Sequence, residues 1–201
     1  MIAHRVHREA LEIVIRPLHK TALLLQGKLV YLRGIERDDL DLLHQLENDE
    51  EVMGWARFRP DHTISMEELE KRFDDELKGN SPTKRTFAVV YRETGKVVGW
   101  CSIRWWRPFV TSAEIGLALS KESRGKGIGT EVTRLLTELA FDQYNMHKVE
   151  LFTRADNQGM IRSAEKSGFR VEGKLRETLY FDGKYHDGVQ MGILRDEFKK
   201  P

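Results

Sequence analysis

Apolar positions change their period several times along this chain, and each change marks an element. "KLVYLRGI" (28–35) alternates as a strand does, and in "RDDLDLLHQL" Leu40, Leu43 and Leu46 recur at helical spacing behind Asp38 and Asp39, which suit a helix N-terminus. Ser65 and Glu68 read as a capping box ahead of Leu69, Phe73 and Leu77, an apolar stripe at i, i+4 and i+8. After Gly79-Asn80-Ser81-Pro82 the period becomes that of strands: "TFAVVY", a turn at Glu93–Lys96 around Gly95, then "VVGWCSIRWW" and "AEIGLALS" form a meander. Val132, Leu135, Leu136, Leu139 and Ala140 then mark an amphipathic helix. "HKVELFT" is another strand, Asn157 to Ser167 a short helix ended by Gly168, and "LYFDGKYHDGVQMGIL" a hairpin whose Asp182-Gly183 suits a type I′ turn. Residues 1–27 follow neither period: "LEIVIRPLH" is broken at Pro17 and "TALLLQG" is apolar without a repeat. They are expected to be an N-terminal extension of one domain running from 28 to 201.

Composition narrows the function classes. With 33 Lys+Arg against 32 Asp+Glu the chain has no basic field to recruit nucleic acid, and no basic helix supplies one locally. The single cysteine, Cys101, excludes an internal disulfide framework and fits a reducing compartment, so the expected location is the cytoplasm. Cys101 falls inside a strand, the usual place of a small core residue rather than a nucleophile. No apolar run reaches the roughly 18 residues of a membrane span, and His4, Arg5, His7, Arg8, Glu9 and Glu12 interrupt any signal peptide. The seven histidines lack metal-ligand spacing, so no metal is expected.

The most informative stretch is "SRGKGIGTEV", Ser123 to Val132, where three glycines and two cations join a strand to a helix. Backbone N–H groups of such a turn, aimed along a helix N-terminus, can cradle phosphate. A Walker loop fails on spacing: Gly127 follows Lys126, and no glycine stands five positions before Gly125. A dinucleotide fingerprint fails at its sixth position, which is Thr130, and in the meander that precedes it. A glycine turn without a ligand is the bland alternative.

Arg124, Gly127 and Gly129 match (Gln/Arg)-x-x-G-x-(Gly/Ala), the pyrophosphate motif of the GCN5-related N-acetyltransferases (GNAT), and from about Lys28 to Phe198 the order of elements resembles that superfamily. "LRGIERDDLDLLHQLENDEEVM", "RGKGIGTEV", the run Asn157, Glu165, Lys166, Gly168 and Phe169, and "FDGKYHD" resemble its spermidine and ribosomal-protein N-terminal acetyltransferase branch. The resemblance implies an α/β fold, a mixed and mostly antiparallel sheet of about six to seven strands flanked by about four helices. It also implies acetyl-CoA as cofactor and a primary amine, on a small molecule or a peptide N-terminus, as acceptor. A polyamine acceptor, a degenerate acetyl-CoA-binding module and a homodimer remain open alternatives.

Site residues follow residue by residue from that resemblance. The coenzyme A diphosphate is expected on the amides of Gly125, Lys126, Gly127, Ile128, Gly129 and Thr130, with Arg124, Lys126 and Lys166 adding charge; as plain residues these cations are solvated. In the family the strand that carries "GLALS" bulges and splays from the next, so Leu117, Ala118 and Leu119 offer main-chain groups to the pantetheine arm. Asn157 either caps the following helix or holds a pantetheine amide. Glu114, in "AEIGL", is the candidate general base, or else a carboxylate on a polar strand face. The expected leaving-group acids are missing: relatives carry Tyr seven residues after the Asn or Ser three after it, and here stand Ala164 and Met160. Ser163 lies one helical step of about 100° from Ala164 and is expected to point elsewhere, so the thiolate leaves unaided or with help from water or from Tyr180, the candidate side-chain donor. Glu36 to Glu51 include eight carboxylates and one arginine, a polyamine lure or a solvated face. Arg57 and Arg59 stand where polyamine relatives tend to carry acids, and with Trp55, Trp105, Trp106 and Arg107 they suggest an aromatic, partly cationic acceptor pocket, core or dimer surface.

Overall fold

The computed structural model describes residues 25–55, 63–78, 83–105 and 111–200. The readings made for "LEIVIRPLH", the start of "TALLLQG", Arg57, Arg59, Gly79 to Pro82, Trp106 and Arg107 lie outside those residues. Eight strands form one sheet: β1 (Leu25–Gln26), β2 (Val30–Gly34), β3 (Lys84–Tyr91), β4 (Lys96–Trp105), β5 (Ser112–Leu119), β6 (Lys148–Arg154), β7 (Arg170–Phe181) and β8 (Lys184–Leu194). Their spatial order is β1-β2-β3-β4-β5-β6-β8-β7, and every neighbour is antiparallel except β5 with β6. The α-helices are α1 (Leu40–Asn48), α2 (Glu50–Met53), α3 (Met66–Leu77), α4 (Ile128–Asp142) and α5 (Gln158–Lys166).

The architecture is the expected mixed α/β sheet, with one or two strands more than the pattern suggested. Part of the excess is β1, which pairs Leu25 with Leu32 and Gln26 with Tyr31 inside the segment read as an extension. β7 begins at Arg170, well before the anticipated hairpin arm, and nearly all of its residues are exposed. An edge strand paired on one side and open to water on both faces carries no alternating signature.

Alternation fixes the two layers. On β5, Ala113, Ile115, Leu117 and Leu119 face the main core together with Ile128, Val132, Leu136 and Leu139 of α4. The intervening Glu114, Gly116 and Ala118 face the other side, which α1 to α3 cover through Leu40, Leu43, Leu46, Val52, Met53, Ile64 and Leu69. Caps set the helix starts. Ser65 Oγ accepts from the Glu68 N–H at 3.1 Å, but only half of the expected box forms, because the Glu68 carboxylate binds Arg72 one turn on. Asp39 does not cap α1 with its side chain; it binds Arg33 at 2.6 and 2.8 Å and takes the Glu36 N–H, so the Arg33 guanidinium is held above its usual range. At the hairpin both Asp182 (φ 49) and Gly183 (φ 70) are left-handed, as a type I′ turn requires.

Candidate active site

β5 and β6 pair only at their starts, Ser112 with Lys148, Ala113 with Val149 and Glu114 with Glu150. Beyond Glu114 the strands diverge, so Ile115 to Leu119 keep their antiparallel bonds to β4 and have no strand partner on the other edge. The expected bulge is absent: the β4–β5 register runs unbroken from Gly99–Leu119 to Trp105–Ala113, and the opening is made by divergence alone. Ends of splayed strands are natural binding crevices, because backbone donors and acceptors there have lost their ladder.

The gap opens into a cleft of about 1110 Å³ that reaches from Glu114 and Trp100 to the loop before α4. Gly125 (φ 75) and Gly127 (φ 82) both lie in the left-handed region, and Gly127 starts the helix with no side-chain cap. The only acid in the first turn, Glu131, is committed elsewhere, accepting the N–H groups of Lys28, Leu29 and Val30 at 2.7, 2.7 and 2.8 Å. Consequently the N–H groups of Gly125 to Thr130 find no acceptor among the described residues. A Cβ on Gly125 would meet nothing within 4 Å, and one on Gly129 would meet Ser163 Oγ at 3.3 Å. The result is an open, electropositive cradle made of main chain.

Leu117, Ala118, Leu119, Arg124, Gly125, Gly127, Gly129, Thr130, Asn157 and Lys166 all border this cleft, as does Glu114. Three expected residues do not. Ile128 is fully buried in the main core, leaving only its amide at the loop. Lys126 turns its ammonium over the Tyr91 ring at 5.7 Å. Tyr180 lies on the exposed hairpin against Tyr185, ring centroids 5.2 Å apart, and outside the cleft wall. Arg124 borders the cleft, but its guanidinium donates to the Glu51 carbonyl at 2.7 Å, tying the cradle to α2. Asn157 caps α5, accepting from the Met160 N–H at 3.2 Å while donating to Thr153 Oγ1 at 3.0 Å.

The phase of α5 overturns one expectation. Ala164 is fully buried in the main core, and it is Ser163 that faces the cleft, next to Gly129. The helix is rotated so that its smallest apolar side chain enters the core, which brings Gly159, Ser163 and Lys166 to the cradle side. Sequence spacing located the helix but not which of two adjacent small residues would turn inward.

At the other end of the cleft, Glu114 Oε1 accepts from Arg104 Nη2 at 2.7 Å across the β4–β5 register. Arg154 is buried under the rings of Trp55 (4.6 Å) and Phe181 (4.9 Å), donates to the Gly54 carbonyl at 3.1 Å, and grips Asp156 through two bonds of 2.9 and 2.6 Å. That grip holds the Asp156 carboxyl below its usual range. Cys101 is fully buried, and burial pushes its thiol well up, so it stays protonated and inert. Among the described residues no cluster of His, Cys, Asp and Glu could hold a metal, and no helix is long and apolar enough to cross a membrane.

Comparison with known proteins agrees with this geometry. Residues 30–170 match the family model for the acetyltransferase (GNAT) domain. The chain is 29% identical over 169 residues to a spermidine N(1)-acetyltransferase of Escherichia coli K12, covering 84% of this chain and 88% of the relative. The crystal structure of a Vibrio cholerae spermidine N-acetyltransferase in complex with CoA and spermine superposes with a TM-score of 0.77 at 27% identity, covering 85% of this chain and 98% of that one. A ribosomal-protein-S5-alanine acetyltransferase from Vibrio fischeri shares the fold, with a TM-score of 0.76 at 20% identity and coverage of 89% and 100%.

Proposed function

The chain belongs to the GNAT acetyltransferase family, and from that premise we propose that its β5–β6 cleft receives acetyl-CoA on the α4 side and a primary amine on the α1–α3 side. The protein is an acetyl-CoA-dependent N-acetyltransferase. The observation that carries the assignment of the cleft is the junction of the β5–β6 divergence with the uncommitted amides before α4.

The residues present fit the cofactor. A diphosphate needs several converging N–H donors and close approach, and Gly125 to Thr130 supply both without a Cβ in the way. Ser163 and Lys166, one helical turn apart on α5, add a hydroxyl and a charge beside Gly129. The free edge of Ile115 to Leu119 offers carbonyl and N–H groups for an extended amide-bearing arm, in the manner of an added strand. When bound, acetyl-CoA supplies an acetyl group activated as a thioester. The acceptor must be presented as a neutral amine although its free pKa lies near about 10, and Glu114, beside the point of divergence, is the carboxylate positioned to take its proton. Arg104 orients that carboxylate through the 2.7 Å bond. Main-chain N–H groups on the free edge of β5 are the donors available to a developing negative oxygen. Met160 donates nothing, Ala164 is buried and Tyr180 lies outside the cleft, so none of these three serves as the leaving-group acid. A thiol of pKa near about 8.5 departs without one at a modest loss of rate.

Incubating the protein with acetyl-CoA and a panel of polyamines, short peptides with free N-termini and amine-bearing small molecules, with products read by mass spectrometry, tests this reading. An N-acetylated product is the expected result. Tight acetyl-CoA binding with no transfer to any amine would make the protein a degenerate binding module instead.

A further inference from the structure

We propose that the acceptor is a small primary amine that also carries a carboxylate or phosphate, rather than a polyamine. The inference rests on the acetyltransferase reading of the cleft. It starts from strand register: Lys84 on β3 lies opposite Arg104 on β4, and Arg104 lies opposite Glu114 on β5. Directly opposed residues share a face, so these three side chains form a row across the sheet, and all three border the cleft. With strands about 4.8 Å apart, Lys84 stands roughly 10 Å from Glu114 at the backbone.

The charges in this part of the cleft are already allocated. Among the described residues three carboxylates border it, Glu47, Glu114 and Asp156, and an arginine holds each one: Arg72 at 3.4 Å, Arg104 at 2.7 Å and Arg154 at 2.6 Å. A second ammonium group entering with the acceptor would meet carboxylates whose charge an arginine already offsets, and so gains less from them than from an unpaired acid. Lys84, in contrast, has no ion-pair partner among the described residues. Its cross-strand neighbour, Arg104, is already paired with Glu114, so an anionic group at this end of the row gains the Lys84 ammonium as its counter-charge. Other donors stand on the same wall. Ser102 stands one step along the same face, opposite a Thr86 whose hydroxyl already donates to Glu76 Oε2 at 2.8 Å, and the indole N–H of Trp100, two residues further, is buried without an acceptor among the described residues. The row therefore takes an amine at its Glu114 end and an anion at its Lys84 end.

Hexane-1,6-diamine, hexylamine and 6-aminohexanoate present one primary amine on matched chains with cationic, neutral and anionic ends, and 5-aminopentyl phosphate distinguishes phosphate from carboxylate. At saturating acetyl-CoA, kcat/KM for the better anionic substrate should exceed that for the diamine by at least about tenfold, with hexylamine between. Lys84→Gln should erase the preference and Lys84→Glu should reverse it, in proteins that still bind coenzyme A. Preference of the wild type for the diamine, or a ratio untouched by Lys84→Glu, overturns the inference while leaving the acetyltransferase reading intact. If none of the four amines is acetylated, their rates cannot rank the ends, and calorimetry with 6-aminohexanoate on the coenzyme A-saturated protein decides the inference, while the acetyltransferase reading is tested by the wider amine panel. Saturable binding lost in Lys84→Glu supports it; no binding overturns it.

Discussion

Replacing Gly127 with glutamate separates the energetics of the loop from those of its ligand. Gly127 sits at φ 82, where an L residue is strained by about 1–2 kcal/mol. There is room for the side chain, since the nearest atom to an added Cβ is Leu29 Cδ1 at 3.5 Å. A carboxylate at a helix N-terminus returns about 0.3–1 kcal/mol through the uncommitted amides and the helix dipole. The net loss is about 1 kcal/mol, a fall in Tm of roughly 2–4 °C for a chain of this size, so the domain should stay folded. Binding is a different matter. One negative charge within about 5 Å of another, at an effective dielectric of about 20, is opposed by about 3 kcal/mol, and so coenzyme A affinity should drop by 100-fold or more at low salt. Gly127→Ala is the control, with a similar Tm and a far smaller loss of affinity. Calorimetric titration with coenzyme A and thermal unfolding of the same preparations read both quantities. A folded Gly127→Glu protein with wild-type affinity would refute the cradle.

Glu114→Gln should lower kcat/KM by about 10²- to 10⁴-fold, most severely at low pH where more of the amine arrives protonated; a uniform loss across pH would speak for a purely structural carboxylate. Ala164→Tyr places a ring in a fully buried position, so it should be destabilised by 1–3 kcal/mol or more, without any gain in turnover; an accelerated reaction in a folded variant would place that side chain at the cleft after all. Asp156→Asn leaves the buried Arg154 cation without its partner and should cost about 2 kcal/mol, below the value for a fully buried pair because Asp156 is half exposed. The Asp156 carboxyl is held low in the folded state, so its contribution is present above about pH 4 and fades as pH falls through the folded value. Urea titrations across that range should show a shallower pH dependence in Asp156→Asn than in wild type.

Several parts of this molecule could be read from residue order because their causes are local. The turn at Asp182-Gly183 needs two left-handed residues, and the dipeptide supplies them. The loop before α4 needs glycines between a strand and an apolar stripe of period 3.6, and "GKGIGTEV" states that directly. The face of Glu114 follows from its alternation with Ala113 and Ile115. What stayed hidden depends on partners distant in sequence. β7 is paired only with β8, and Arg176 to Thr178 fall where their register is interrupted, with the Glu177 N–H donating to Asp187 Oδ1 at 2.9 Å. Nothing in "VEGKLRET" announces that arrangement. Ser163 and Ala164 could not be told apart because the rotation of α5 is decided by its packing against the main core.

The two ends of the cleft differ in the same way, and the difference has a physical source. At the α4 end the cofactor would be held by main-chain N–H groups, which any sequence with the right glycines and the right fold will present, so a motif of a few residues is sufficient to point to it. At the proposed acceptor end recognition would fall to side chains whose charge as a group depends on pairing: Arg104 meets Glu114 only through the β4–β5 register, and Arg72 reaches Glu47 only because α3 packs beside α1. The carboxylates of Glu36 to Glu51 look like a polyamine lure when counted along the chain. In the folded protein Asp39 is bound by Arg33, Glu47 by Arg72 and Glu51 by Lys121, while Asp49 caps α2. Of these carboxylates only Glu47 borders the cleft, so a count along the chain overstates the negative charge an acceptor would meet there among the described residues. On the proposed reading, acceptor specificity turns on the cations near Glu114 that stay without an ion pair among the described residues, and Lys84, at the far end of the Glu114–Arg104 row, is the one the variants test.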